Sequence, residues 1–250
     1  MTPTDAPTTP AEIDLQRGSI VPGDPDLRIW PQLDQGSPEW IAARCGLLTA
    51  SVIGKLITPS LKVADNETSR GLIEALVAER ITQHVELINS TADMERGTLD
   101  EPYARDLYSA QYETVHEVGF AVRQIGLHKV GASPDGLVDS YGGIEIKSRK
   151  PKIHLRTILT DKVPAENMAQ VQTCLLVFGR DWWDYTSYAG GWPLHVIRVY
   201  PDPAWQAVIK EALDTAEEKA AVMIADYRAI TDGKPISPRI DHYEEMEMGI

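Results

Sequence analysis

Apolar residues change their spacing along this chain, and the changes mark its elements. Leu72, Ile73, Leu76, Val77 and Ile81 recur at helical spacing, which predicts a helix over 68–88. Ser37-Pro38-Glu39-Trp40 combines a capping serine, a first-turn proline and an acid, so a short helix is expected from there to near Gly46. Thr49-Ala50-Ser51 opens a second short helix, expected over 50–57, with a polar loop after it at 58–67. Another helix is expected from Asp93 to about Gln111. After Thr114 the texture becomes that of short strands at 114–118, 119–124, 135–139 and 142–148, separated by Gly-rich turns. Met168, Val171, Leu175 and Phe178 mark a helix over 164–178, followed by strands at 183–189 and 194–199. Pro201-Asp202-Pro203 breaks the chain before a last helix at 203–229.

The ends lack such periodicity. Residues 1–34 carry six prolines and six acids and read as an extended, partly disordered lead-in. Residues 231–250 read as an acidic, methionine-bearing tail. No internal repeat is present. The order of elements predicts an α/β class: one domain over 35–230 with a small mixed β-sheet flanked by helices.

Composition removes several classes of protein. Hydrophobic residues make up 43% and charged residues 24%, which excludes wholesale disorder and collagen-like repeats. No apolar run approaches the ~20 residues of a membrane span. The first sixteen residues lack both a basic start and an apolar stretch, so no signal peptide and no membrane role are expected. Two cysteines, Cys45 and Cys174, cannot build a disulfide framework or a four-thiolate cluster. A cytoplasmic protein is expected.

Charge is distributed unevenly. The net charge of -13 opposes nonspecific attraction to nucleic acid. Residues 211–250 hold ten acids against four bases, whereas residues 147–162 hold six bases against one acid. That basic run is either a solvated face or a local track for phosphates.

The chemistry concentrates just before the run. Ser133-Pro134-Asp135-Gly136 lies ten residues ahead of Glu145-Ile146-Lys147. Strand alternation puts Glu145 and Lys147 on one face and Ile144 and Ile146 on the other. Asp135 starts the neighbouring strand, so its carboxylate can stand beside Glu145. Two carboxylates that close suit Mg²⁺ or Mn²⁺. Without a cation, like charges there raise a pKa or push apart.

These residues carry the PD-(D/E)xK nuclease signature. The chain resembles the lambda exonuclease and YqaJ-type viral recombinase family over roughly residues 35–230. Five motifs agree in order: Trp40, Arg44, Gly46 and Thr49-Ala50-Ser51; Gly97 with Glu101; Ser133-Pro134-Asp135-Gly136; Glu145-Ile146-Lys147; and Met168-Ala169-Gln170-Val171-Gln172. Arg96 stands where the resembled enzyme has an aromatic residue.

The resemblance implies a restriction-endonuclease-like core and metal-dependent 5′→3′ exonuclease action on double-stranded DNA. The product would be a 3′ single strand for phage-type recombination. It implies two Mg²⁺ per site, or Mn²⁺, with Asp135, Glu145 and the Ile146 carbonyl as ligands and Glu101 supporting the second ion. Lys147 would aim the attacking water, and Gln170 would lie against the scissile region. Arg44, Ser51 and Ser133 would seat a terminal 5′-phosphate. Double-stranded DNA ends, a single-strand annealing protein and a homo-oligomeric ring, a trimer, are the implied partners. The bacterial host cytoplasm is the implied compartment for a phage-encoded protein.

The residues leave alternatives at this stage. Asp100 rivals Glu101, Gln172 rivals Gln170, Arg44 could pair with Glu39, and Ser133 could merely cap a turn. A structure-selective or single-strand nuclease shares the core, and a nuclease-dead protein could bind DNA ends. Iron–sulfur nucleases of related fold are excluded by the cysteine count.

Overall fold

The structure, a computed structural model, describes residues 18–86 and 91–240. Two mixed sheets are flanked by helices. In the first, β1 (Ser19–Val21) and β2 (Asp24–Trp30) form a hairpin through Gly23, whose φ of 86° suits glycine. β2 pairs antiparallel with β4 (Phe120–Ile125), and β4 with β5 (His128–Ala132). The two-residue β3 (Leu48–Thr49) adds to β5 in parallel, completing the order β1-β2-β4-β5-β3. The second sheet runs β6 (Gly136–Val138), β7 (Gly142–Ser148), β8 (Trp182–Tyr188), β9 (His195–Val199). β7 and β8 are parallel, so the chain must cross over between them. It does so through α5 (Pro151–Thr160) and α6 (Ala165–Phe178).

The remaining helices are α1 (Pro38–Arg44), α2 (Ala50–Ile53) continued by a 3-10 turn over 54–56, α3 (Glu67–Thr82), α4 (Ala92–Gln111) and α7 (Pro203–Thr231). Their starts follow capping chemistry. Ser37 accepts the Trp40 N–H, Thr91 that of Met94, and Asp202 those of Ala204 and Trp205. Val208, Ile209, Ala212, Leu213, Ala216 and Ala220 form one buried stripe on α7. That stripe joins Val171 and Leu175 of α6 and Trp183 and Tyr185 of β8 in the main core. Fully burying an aliphatic side chain of this size contributes ~1.5–3 kcal/mol. A second, smaller core holds Ile144 and Ile146 of β7 against Ala104 and Tyr108 of α4. It seats α4 on the far face of the strand that carries Glu145.

Several sequence expectations change here. Residues 19–30 of the expected loose lead-in are two strands of the first sheet, fixed by the Arg123–Asp24 ion pair at 2.6 Å. The single small sheet is two sheets. Residues 114–118 are no strand; only His116 forms an isolated bridge, to Leu137. β5 and α5 were not expected, and α5 turns half of the basic run into a helix. The helix expected over 68–88 ends at Thr82, where Gln83 adopts a left-handed cap. Residues 1–17 and 241–250, parts of the expected lead-in and tail, lie outside the described residues.

Candidate active site

The first anchor is the carboxyl end of β7. β6 stops pairing at Gly136, opposite Ile144, which leaves β7 without a strand partner on that side beyond that point. The Asp135 carboxylate takes over there: its Oδ2 accepts the Ile146 N–H at 2.5 Å. Asp135 therefore stands beside Glu145 because a backbone donor needed an acceptor. On the opposite face from the isoleucines, Lys147 Nζ lies 2.5 Å from Glu145 Oε1.

Glu145 is fully buried. The Lys147 ammonium meets its Oε1 as a close ion pair, and among the described residues no other donor reaches either carboxylate oxygen. Such a group is costly to bury unless something else binds it. Burial, only partly offset by Lys147 and reinforced by Asp135, pushes its carboxyl up to about 8. Burial raises Asp135 as well, against the pull of Lys147 and the Ile146 N–H. Burial and then Asp135 push Glu101, on α4, up to about 7. Burial acts to lower the Lys147 ammonium, but Glu145 and Asp135 outweigh it and hold it above its usual value.

The second anchor is α1. Its last residue, Arg44, lies 3.9 Å above the Trp40 ring. Its guanidinium reaches only hydroxyls: Ser133 at 3.5 Å, Thr49 at 3.4 Å and Ser51 at 3.3 Å. Trp40 Nε1 donates to the same Ser133 Oγ at 2.9 Å. Burial lowers the Arg44 guanidinium to about 10, still charged at neutral pH. Gly46 follows with φ 67°, and a Cβ there would meet Arg80 Cγ at 2.6 Å. α3 pins this turn: Glu79 accepts the Gly46 N–H at 2.7 Å, and Arg80 donates to the Gly46 carbonyl at 2.8 Å.

Both anchors open on one cleft of about 530 Å³. Arg44, Ser51, Glu101, Ser133, Asp135, Glu145, Ile146, Lys147 and Gln170 all line it. The nine residues to which the resemblance gives roles are thus brought together. The rivals separate. Gln172 is buried and occupied structurally, donating to the Tyr200 carbonyl and accepting the Asp202 N–H. Asp100 accepts from Ser148, a residue of the cleft wall, at 2.6 Å and does not itself line the cleft. Among the described residues Arg44 forms no ion pair with Glu39.

The donor set fits a hard divalent cation through two carboxylates and a backbone carbonyl, with the buried Glu145 carboxylate, paired only with Lys147 among the described residues, as its strongest feature. Among the described residues no three His, Cys, Asp or Glu side chains converge as a metal cage. Glu101 is bound to Arg105.

The basic run divides. Arg149 is turned inward to Asn167 and the Tyr185 hydroxyl, and Lys150 pairs with Asp93 at 2.9 Å. Lys152 and Arg156 remain exposed on α5. His154 is buried against Ser187 and the Pro193 carbonyl, where burial lowers its ring. Two contributors escaped sequence reasoning. Arg105 could have been found from its position four residues after Glu101 on one helix face. Trp40 was in a motif without a role, and its ring proves to be the platform for Arg44.

The raised carboxyls give a pH expectation. An acid whose folded pKa lies above its unfolded value holds an extra proton in the folded state, so stability falls as pH rises between the two. The metal-free protein is expected to lose stability from the ordinary carboxylate range up to about pH 8, the value for Glu145. Melting curves against pH with chelator test this; a flat profile across that window would contradict the buried site.

The fold agrees with that of known proteins. A model of the YqaJ-like viral recombinase domain matches residues 39–181. An alkaline exonuclease (LHK-Exo) from Laribacter hongkongensis is 32% identical, with a TM-score of 0.70 over 78% of this chain and 98% of that one. The structure of LHK-Exo with dAMP superposes with a TM-score of 0.71 at the same identity and coverage. A phage related exonuclease from Haemophilus somnus shares the fold, with a TM-score of 0.56 over 72% of this chain and 96% of that one, at 12% identity. No curated protein matches the chain. The five ordered motifs, their convergence in one cleft and these matches establish that the chain belongs to the YqaJ-like viral recombinase family, as a nuclease of the phage exonuclease type.

Proposed function

We propose that this chain is a divalent-metal-dependent exonuclease that degrades double-stranded DNA from its ends in the 5′→3′ direction. The observation that carries the reading is the fully buried Glu145, met only by Lys147 among the described residues and standing beside Asp135 in an open cleft. Asp135, Glu145 and the Ile146 carbonyl would hold Mg²⁺, or Mn²⁺, and Glu101 would support a second ion. A cation bound there supplies a water of lowered pKa and a counter-charge for the phosphate. Lys147, 26% exposed and opening on the cleft, can donate to the attacking water or to a phosphate oxygen. Gln170 lines the same cleft and would serve as a neutral donor to the strand. Arg44, with Ser51 and Ser133 and with no ion pair among the described residues, would offer a positive seat suited to a terminal 5′-phosphate.

The Laribacter hongkongensis relative is named an alkaline exonuclease and was solved with dAMP. A deoxynucleoside monophosphate is the product class expected here. Metal binding needs the carboxylates deprotonated, so raised carboxyls agree with a rate that climbs through pH 7–8. Among the described residues no helix is long and apolar enough to cross a membrane. A ring trimer, an annealing partner and the host cytoplasm complete the reading.

Duplexes labelled at one end and blocked with phosphorothioates at either 5′ or 3′ termini test polarity. A 5′ block is expected to stop digestion; a 3′ block that stops it would reverse the direction. The basic helix gives a separate expectation. Lys152→Gln with Arg156→Gln should reduce the slope of log affinity against log salt by ~2, about one per lost phosphate contact, equally for all sequences. An unchanged slope would make α5 a solvated face.

A further inference from the structure

We propose that Arg105 is a positioning residue that builds the cation site from outside it, holding Glu101 and Asp135 in register. The inference rests on the metal reading above and extends it to a residue that neither the motifs nor the cleft lining includes.

Arg105 is 12% exposed and binds three separate segments at once. Its Nη2 donates to Glu101 one helical turn earlier on α4. Its Nε donates to the backbone carbonyl of Asp135 at 2.8 Å. Its Nη1 lies 3.0 Å from Glu117, in the chain leading into β4. One planar group thus fixes a carboxylate on the helix relative to the main chain of the residue that precedes β6.

The charge count explains the need. Asp135, Glu145 and Glu101 all line the cleft, and the Lys147 charge acts on all three. Asp135 and Glu117 oppose the Glu101 charge, and Arg105 and Lys147 support it. Arg105, which does not line the cleft, supplies its cation directly at the Glu101 carboxylate. The carbonyl bond has a distinct task. It fixes the start of β6, from which the Asp135 carboxylate reaches the Ile146 N–H. Lysine carries the same charge but lacks the rigid fork, so it cannot serve three acceptors in three directions.

Calorimetric titration of the DNA-free protein with Mn²⁺ tests this without reference to turnover. Arg105→Gln is expected to weaken Mn²⁺ binding by ~10–100-fold, the loss typical of removing a group that orients a ligand. Its affinity for duplex in chelator should stay near the wild-type value. In a Glu101→Gln background the same substitution should cost markedly less, because part of the effect passes through Glu101. Arg105→Lys guards against a folding failure; it should remain folded by circular dichroism and show a partial loss. Wild-type Mn²⁺ affinity in either folded variant would overturn the proposal while leaving the metal site standing. A wild-type protein that binds no Mn²⁺ would overturn the metal reading itself.

Discussion

Glu145→Gln is expected to abolish cleavage and leave the metal-free protein as stable as before, or more so. The amide keeps the shape of a side chain that is fully buried. It removes the charge that burial and Asp135 disfavour, the cause of the carboxyl lying near 8. Lys147 loses its ion-pair partner but remains partly in solvent and near Asp135, which limits that cost. The melting temperature in chelator near that pH should therefore hold or rise. Cleavage behaves oppositely. Removing one preorganised electrostatic group from a reacting centre costs ~100–1000-fold, and loss of a ligand carboxylate should reach at least the upper end. A variant that is folded yet cleaves at a tenth of the wild-type rate would remove Glu145 from the cation site.

Arg44→Ala should discriminate between DNA ends. Arg44 is held over Trp40 by hydroxyl contacts of 3.3–3.5 Å, too long to satisfy a guanidinium. Among the described residues it forms no ion pair, and only the more distant Glu79 charge acts on it, which leaves positive charge for a ligand to meet. A charge-assisted hydrogen bond is worth ~1.5–3 kcal/mol, so the loss on 5′-phosphorylated duplex is expected to be about tenfold to a hundredfold. On 5′-hydroxyl duplex the loss should be much smaller. Each cut leaves a new 5′-phosphate on the remaining strand, so runs on long duplex should also shorten. Equal losses on both ends would mean that Arg44 only supports Trp40 and Ser133.

The cleft was legible in the sequence because its residues sit in short local motifs on regular elements. Strand alternation alone placed Glu145 with Lys147 and away from Ile146. What failed depended on tertiary pairing. β2 was hidden because it is tied into the sheet by β4, far away in the sequence, and Pro22 and Pro25 made it look loose. β5 was missed because Gly131 interrupts it; a Cβ there would strike the Phe120 ring at 2.6 Å, so the gap is a packing requirement. The basic run read as one surface because charge does not show direction. Arg149 turned inward to Asn167 and Tyr185, and Asp93, from a distant helix, took Lys150. Glu101 was found, but its tie to Arg105 and through it to Asp135 needed the sheet and helix in register.

The most direct test of a metal-dependent end-degrading nuclease is release of mononucleotides from uniformly labelled DNA, linear against covalently closed circular, in Mg²⁺ and in chelator. The account predicts release from the linear duplex in Mg²⁺ and from no other sample. Release that persists in chelator, or that proceeds equally from the closed circle, would contradict it.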